Sequence, residues 1–133
     1  MASIFSRIVA GEIPCYKVAE TEKFLAFLDV NPIAEGHVLC IPKEEIDYVF
    51  DIEDALYNEL FLFAKKVALG MKKVCPCIKI GMSVIGIDVP HTHIHLVPIN
   101  KPSDMDFTTH VKMEKEEMVA LSEKIAKSVE ALL

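Results

Sequence analysis

Three of the five histidines fall within one short run, His91-Thr92-His93-Ile94-His95-Leu96-Val97-Pro98. Imidazole can serve as nucleophile, acid or base near neutral pH, because its unperturbed pKa is about 6.5. The alternation predicts a β-strand from 91 to 98, with the three imidazoles on one face and Thr92, Ile94 and Leu96 turned into a core. Same-face neighbours in a strand stand roughly 6.6 Å apart, at about 3.3 Å rise per residue. That spacing suits several imidazoles gathered around one anionic group or one metal ion. Burying three imidazoles without a task would desolvate polar groups for no return.

Three chemistries fit such a face. His93, flanked by two histidines, can attack phosphorus and split one difficult displacement into two. A His-x-His-x-His face can instead bind zinc, copper, iron or nickel. The third reading is a module that binds a nucleotide without turning it over. His37, at the head of another apolar strand, is either an exposed strand-end histidine or a functional one, which periodicity does not separate, and His110 reads as an ordinary packed or surface residue.

The frame that must position these residues is one domain. A chain of 133 residues with 52% hydrophobic content can bury a real core. The net charge of −6 argues against coating a nucleic acid polymer. No apolar run approaches the ~18 residues that cross a bilayer, so no membrane contact is expected. The N-terminal residues lack the apolar core of a secretory signal, and the cytoplasm is the expected location. Cys15, Cys40, Cys75 and Cys77 read as reduced thiols, since Cys75-Pro76-Cys77 lacks the two-residue gap of common zinc hooks.

In chain order, Ile4, Phe5, Ile8 and Val9 have the spacing of a short helix that stops at Gly11. Residues 16–19 and 23–29 read as a hairpin, with Phe24, Ala26 and Leu28 on one face and Leu25, Phe27 and Asp29 on the other. Asp29 ends an apolar strand, where a carboxylate can accept hydrogen bonds from hydroxyl groups. A turn-rich loop leads into a strand over 37–42. Apolar residues at three- and four-residue spacing predict a long helix from 51 to about 74, with Asp51 as its N-cap. Residues 77–86 read as a strand and a glycine-marked bend, whose backbone N–H groups could approach a phosphate. A final amphipathic helix is expected over 114–133.

The motif His91-Thr92-His93-Ile94-His95-Leu96-Val97 resembles the histidine triad (HIT) signature, His-x-His-x-His followed by two apolar residues. Two N-terminal blocks are similar to the Hint branch of that family. One is Ile4-Phe5-Ser6-Arg7-Ile8-Val9-Ala10-Gly11-Glu12-Ile13-Pro14. The other runs from Phe27-Leu28-Asp29-Val30-Asn31-Pro32 through Gly36-His37-Val38-Leu39-Cys40-Ile41-Pro42-Lys43. The resemblance covers a core of about residues 4–99 and leaves the C-terminal helix as an extension.

The resemblance implies an α+β HIT-like fold: a mostly antiparallel five-stranded sheet with a long central helix and an extra C-terminal helix. It implies a hydrolase or transferase acting on purine nucleoside phosphoramidates or related phosphate linkages through a nucleotidyl-histidine intermediate, with no cofactor and no bound metal. His93 matches the nucleophile, His91 and His95 the residues that flank it and contact the phosphate, and His37 a further active-site histidine. Asp29 matches the acid that holds the ribose hydroxyls, and Phe5, Ile8, Phe27 and Val30 match the base pocket. Members commonly form homodimers with a continuous sheet. Where Hint-like members carry a glycine-glutamine-serine run, this chain has Gly86-Ile87-Asp88, so Gly86 and Asp88 are expected on the substrate side, with Asp88 either engaging a basic leaving group or turned outward as a loop carboxylate.

Overall fold

The computed structural model describes residues 2–133. Five strands form one antiparallel sheet: β1 (Lys17–Glu20), β2 (Phe24–Leu28), β3 (Val38–Pro42), β4 (Lys79–Val84) and β5 (Ile94–Ile99). Their spatial order is β1-β2-β3-β5-β4, so the sequence-distant β3 and β5 lie side by side at the centre. Three helices complete the chain: α1 (Ile4–Val9), α2 (Asp54–Val74) and α3 (Lys115–Glu130). The α+β class with a mostly antiparallel sheet, a long central helix and a C-terminal helix is the architecture observed.

The alternation in β2 sorts its side chains onto two faces as expected. Phe24, Ala26 and Leu28 join Val38, Cys40, Ile94 and Leu96 in the main core, against Leu60, Phe63, Ala64, Val67 and Met71 of α2 and Met118, Ile125 and Val129 of α3. Leu25, Phe27, Leu39 and Ile41 form a smaller cluster on the other face, closed by Phe5 with Ile8 beside it. Both helices of the main core thus lie on one side of the sheet. The opposite side is left to the short α1 and the histidines.

Two local expectations need correction. The long helix begins at Asp54, and its N-cap is Glu53, whose carboxylate accepts from the Leu56 N–H; Asp51 ends a separate 3-10 turn, Val49–Asp51. The histidine strand begins only at Ile94. Pro90 offers no N–H to a ladder, the His91 N–H donates to the Val89 carbonyl, and the Thr92 N–H donates to the Ile46 carbonyl. Those backbone groups are spent outside the sheet, so His91 and His93 sit in the lead-in and only His95 lies in the strand.

Gly36 sets the entry to β3. Its φ is +96°, and a Cβ there would stand 2.8 Å from Cys75 Sγ. Only a residue without a side chain turns the chain at that point and delivers the adjacent His37 into the sheet.

Candidate active site

The residues with the strongest chemistry meet on the α1 side of the sheet, and each ring is held by a defined hydrogen bond. His93 Nδ1 lies 2.7 Å from the His91 carbonyl oxygen. A carbonyl can only accept, so Nδ1 carries the proton and the lone pair of a neutral ring is left on Nε2. Phe5 stands edge-on to this ring, with centroids 4.9 Å apart.

His95 is held differently. The Ile33 N–H donates to His37 Nδ1 at 3.1 Å, which leaves the proton of a neutral His37 on Nε2. That proton is donated to His95 Nδ1 at 2.9 Å, so a neutral His95 keeps its own proton on Nε2, on the other side of the ring. His93 and His95 therefore offer complementary groups, a lone pair and an N–H. Burial holds both His37 and His95 at a pKa of about 4, with the neighbouring His110 and His93 further opposing protonation of His37, and His93 and His37 that of His95.

His91 is fully buried. Its Nε2–H donates to the Pro42 carbonyl at 2.7 Å, and its Nδ1 accepts from the Ser3 hydroxyl at 2.9 Å. Ser3 also caps α1, its Oγ accepting from the Ser6 N–H at 3.0 Å. Glu45 Oε1 accepts from the Ser3 N–H at 2.6 Å and from the Ser6 hydroxyl at 2.7 Å. Those donors, the Ser3 N–H first, pull the Glu45 carboxyl down to about 2. Burial lowers the His91 pKa, with the Pro42 carbonyl and Glu45 partly opposing the shift.

A cavity of about 470 Å³ opens on these groups. Of the residues singled out from sequence, Phe5, Ile8, Phe27, Asp29, Val30, Asp88, His93 and His95 line it. His37 and His91 stand behind its wall, each bonded to the site rather than facing it. Gly86 lies at the bend that leads to Asp88, outside the lining. Phe107 and His110 also line the cavity; Phe107 packs edge-on to His95 at 4.7 Å between centroids. His110, expected to be an ordinary packed or surface residue, is exposed and belongs to the cavity wall. Ser3, Ser6, Glu45 and Phe107 were not singled out from sequence. A serine one residue before an apolar helical stretch is an N-cap signal, but nothing local ties Glu45 or Phe107 to distant histidines. A larger cavity, about 700 Å³, lies between the Ile33–Glu35 loop and α3 and has no histidine in its wall.

Asp29, His37 and His95 present donor atoms within 4.8 Å of one another, the one such cluster among the described residues. A divalent ion there would need the His37 Nε2 lone pair. The Ile33 N–H on Nδ1 keeps the proton on Nε2, so metal binding would leave two N–H groups facing each other at 3.1 Å. The trio is better suited to a hydrogen-bond relay.

The fold and the histidine constellation are those of a histidine triad protein. The HIT domain profile matches residues 10–102, and the chain belongs to the HIT family. It is 35% identical over 136 residues to the adenosine 5'-monophosphoramidase hnt1 of Schizosaccharomyces pombe, covering 97% of this chain and 99% of that one. It is 34% identical over 135 residues to the protein hit of Bacillus subtilis, covering 93% and 92%. The crystal structure of a hypothetical histidine triad nucleotide-binding protein from Sulfolobus tokodaii superposes with a TM-score of 0.82 at 29% identity, over 96% of this chain and 92% of that one. Membership in this family, with members named as phosphoramidases, supports a nucleotide hydrolase.

Proposed function

We propose that the chain hydrolyses purine nucleoside phosphoramidates, or transfers their nucleotidyl group, through a nucleotidyl intermediate on His93. The observation that carries this reading is the His93 Nδ1 bond to the His91 carbonyl, which leaves a nucleophilic Nε2. In the first step Nε2 attacks the α-phosphorus, the new N–P bond forms, and the bond to the leaving nitrogen breaks as that nitrogen takes a proton from water and departs as the amine. Water then displaces His93 and releases the nucleoside monophosphate. His95 supplies an N–H to the phosphoryl oxygens as charge builds there, and the His37 proton on its Nδ1 fixes that orientation.

The remaining walls divide the substrate among them. Phe5, Ile8, Phe27 and Val30 make an apolar slot for the base, Asp29 accepts from the ribose, and Asp88 places a carboxylate where a basic amine departs. An amine attracts the Asp88 carboxylate and an anionic leaving group does not. Such a confined cavity on an acidic chain suits a mononucleoside compound rather than a polymer.

The protein acts as a homodimer. β4 is an edge strand, paired only with β5 among the described residues. Beside it Leu69 of α2 and Ile78 line a shallow groove, and Leu62, Leu69, Ile78 and Met82 are all exposed. Pairing two β4 edges would continue the sheet and cover these side chains.

The test is turnover of adenosine and guanosine phosphoramidates by wild type and His93→Ala, following the nucleoside monophosphate. Turnover lost in the variant supports the reading. No turnover by wild type, with nucleotide binding retained, would replace it with a binding role.

A further inference from the structure

The family profile ends at residue 102, but the cavity wall does not. Beyond it, Asp106 accepts from the Thr108 N–H and hydroxyl and from the Thr109 hydroxyl, which shapes the segment into a compact turn. Phe107 then reaches His95 and His37, with centroids 4.7 and 6.2 Å away. The segment is pinned to the opposite loop by two bonds: His110 Nδ1–H to the Asn31 carbonyl and Val111 N–H to the Pro32 carbonyl, both 2.9 Å.

We propose that Phe107 and His110 form the sugar-facing wall of the nucleotide cavity, with His110 contacting the ribose alongside Asp29. This rests on the nucleotide reading above. Asn31 joins the two groups, since its N–H donates to Asp29 Oδ1 at 2.9 Å while its carbonyl holds His110. Asp29 Oδ1 already accepts one bond, and Oδ2, 3.7 Å from His37 Nε2, is the less engaged oxygen for a sugar hydroxyl. A ribose presents two vicinal hydroxyls, and a second acceptor on the same cavity wall lets each be received separately. With its proton on Nδ1, a neutral His110 has its lone pair on Nε2, an atom with no hydrogen-bond partner among the described residues.

A contact to the second hydroxyl distinguishes ribose from 2'-deoxyribose. Calorimetric titration of wild type, His110→Ala and His110→Gln with adenosine monophosphate and its 2'-deoxy form measures that distinction without relying on turnover. Wild type is expected to favour the ribonucleotide by about tenfold, the worth of one well-placed hydrogen bond. In His110→Ala the preference should shrink to within about threefold, with partial return in His110→Gln. Collapse of the loop would weaken both nucleotides alike, so the ratio reports the hydroxyl contact. An unchanged ratio in His110→Ala would overturn the assignment and leave the nucleotide reading intact. If wild type binds neither nucleotide, the nucleotide reading falls and this one with it.

Discussion

The carbonyl oxygen of His91 accepts the Nδ1 proton of His93 at 2.7 Å, so the backbone of one histidine sets the tautomer of the next but one. His91 thereby serves the reaction through its main chain, while its side chain is locked between Ser3 and Pro42. The stretch before β5 is a bracket for the nucleophile.

That bracket is anchored on α1, which predicts a remote effect. Ser3→Ala removes the α1 cap, costing about 1 kcal/mol, and takes the nearer hydroxyl from the buried His91 Nδ1, leaving only the Ser6 hydroxyl at 3.3 Å, which also donates to Glu45, for about 1 kcal/mol more. Because α1 also carries Phe5 against His93, kcat should fall about tenfold or more. Denaturant melts together with turnover check both. Wild-type stability and turnover in Ser3→Ala would detach the network from the site.

The pH response follows from the His37 and His95 pair. Both are held at about 4 in the folded protein, below the roughly 6.5 of an unfolded chain. Between those values the unfolded state binds protons that the native state refuses, so stability falls as pH drops from about 6.5 to 4 and levels below it. The two rings titrate as a coupled pair, and their joint contribution is roughly a few kcal/mol. Histidine NMR titration should show both rings neutral at pH 6. Midpoints near 6.5 would contradict a dry, relayed pair.

Much of this was legible in the chain, for physical reasons. Period two in β2 and period near 3.6 in α2 depend on local geometry alone, so the sheet faces and the long helix could be read directly. The spacing of His91, His93 and His95 marked the site. What failed was the assumption that alternation means one continuous strand: Pro90 and the tertiary bonds to Val89 and Ile46 took His91 and His93 out of the ladder. Glu45, Phe107 and His110 join the site only through folding, 39 to 88 residues from their partners in the case of the Ser6–Glu45, Asn31–His110 and Ser3–His91 bonds, and side-chain periodicity carries no trace of such distances.

Gly70 is another residue whose role appears only on folding. A Cβ there would stand 2.5 Å from Val129 Cγ2 and 3.0 Å from the Val129 backbone. Helix α3 approaches α2 so closely that only glycine fits, and Ser128 Oγ donates to the Gly70 carbonyl at 2.8 Å. Gly70→Ala gains helix propensity but overpacks the contact, for a net loss of about 1–3 kcal/mol. Thermal or denaturant melting reads it, and a variant more stable than wild type would mean that α3 can shift outward freely.

The dimer reading predicts a sedimentation mass of two chains at micromolar concentration. Leu69→Glu places a charge in the groove between α2 and β4 and should yield monomers. A monomeric wild type would remove the proposed sheet pairing.

The most direct test of the account is mass spectrometry of protein quenched in acid-free buffer during turnover of adenosine phosphoramidate. A nucleotidyl adduct on His93, absent in His93→Ala, is the predicted result. Turnover with the adduct on another residue, or continuing undiminished in His93→Ala, would contradict it.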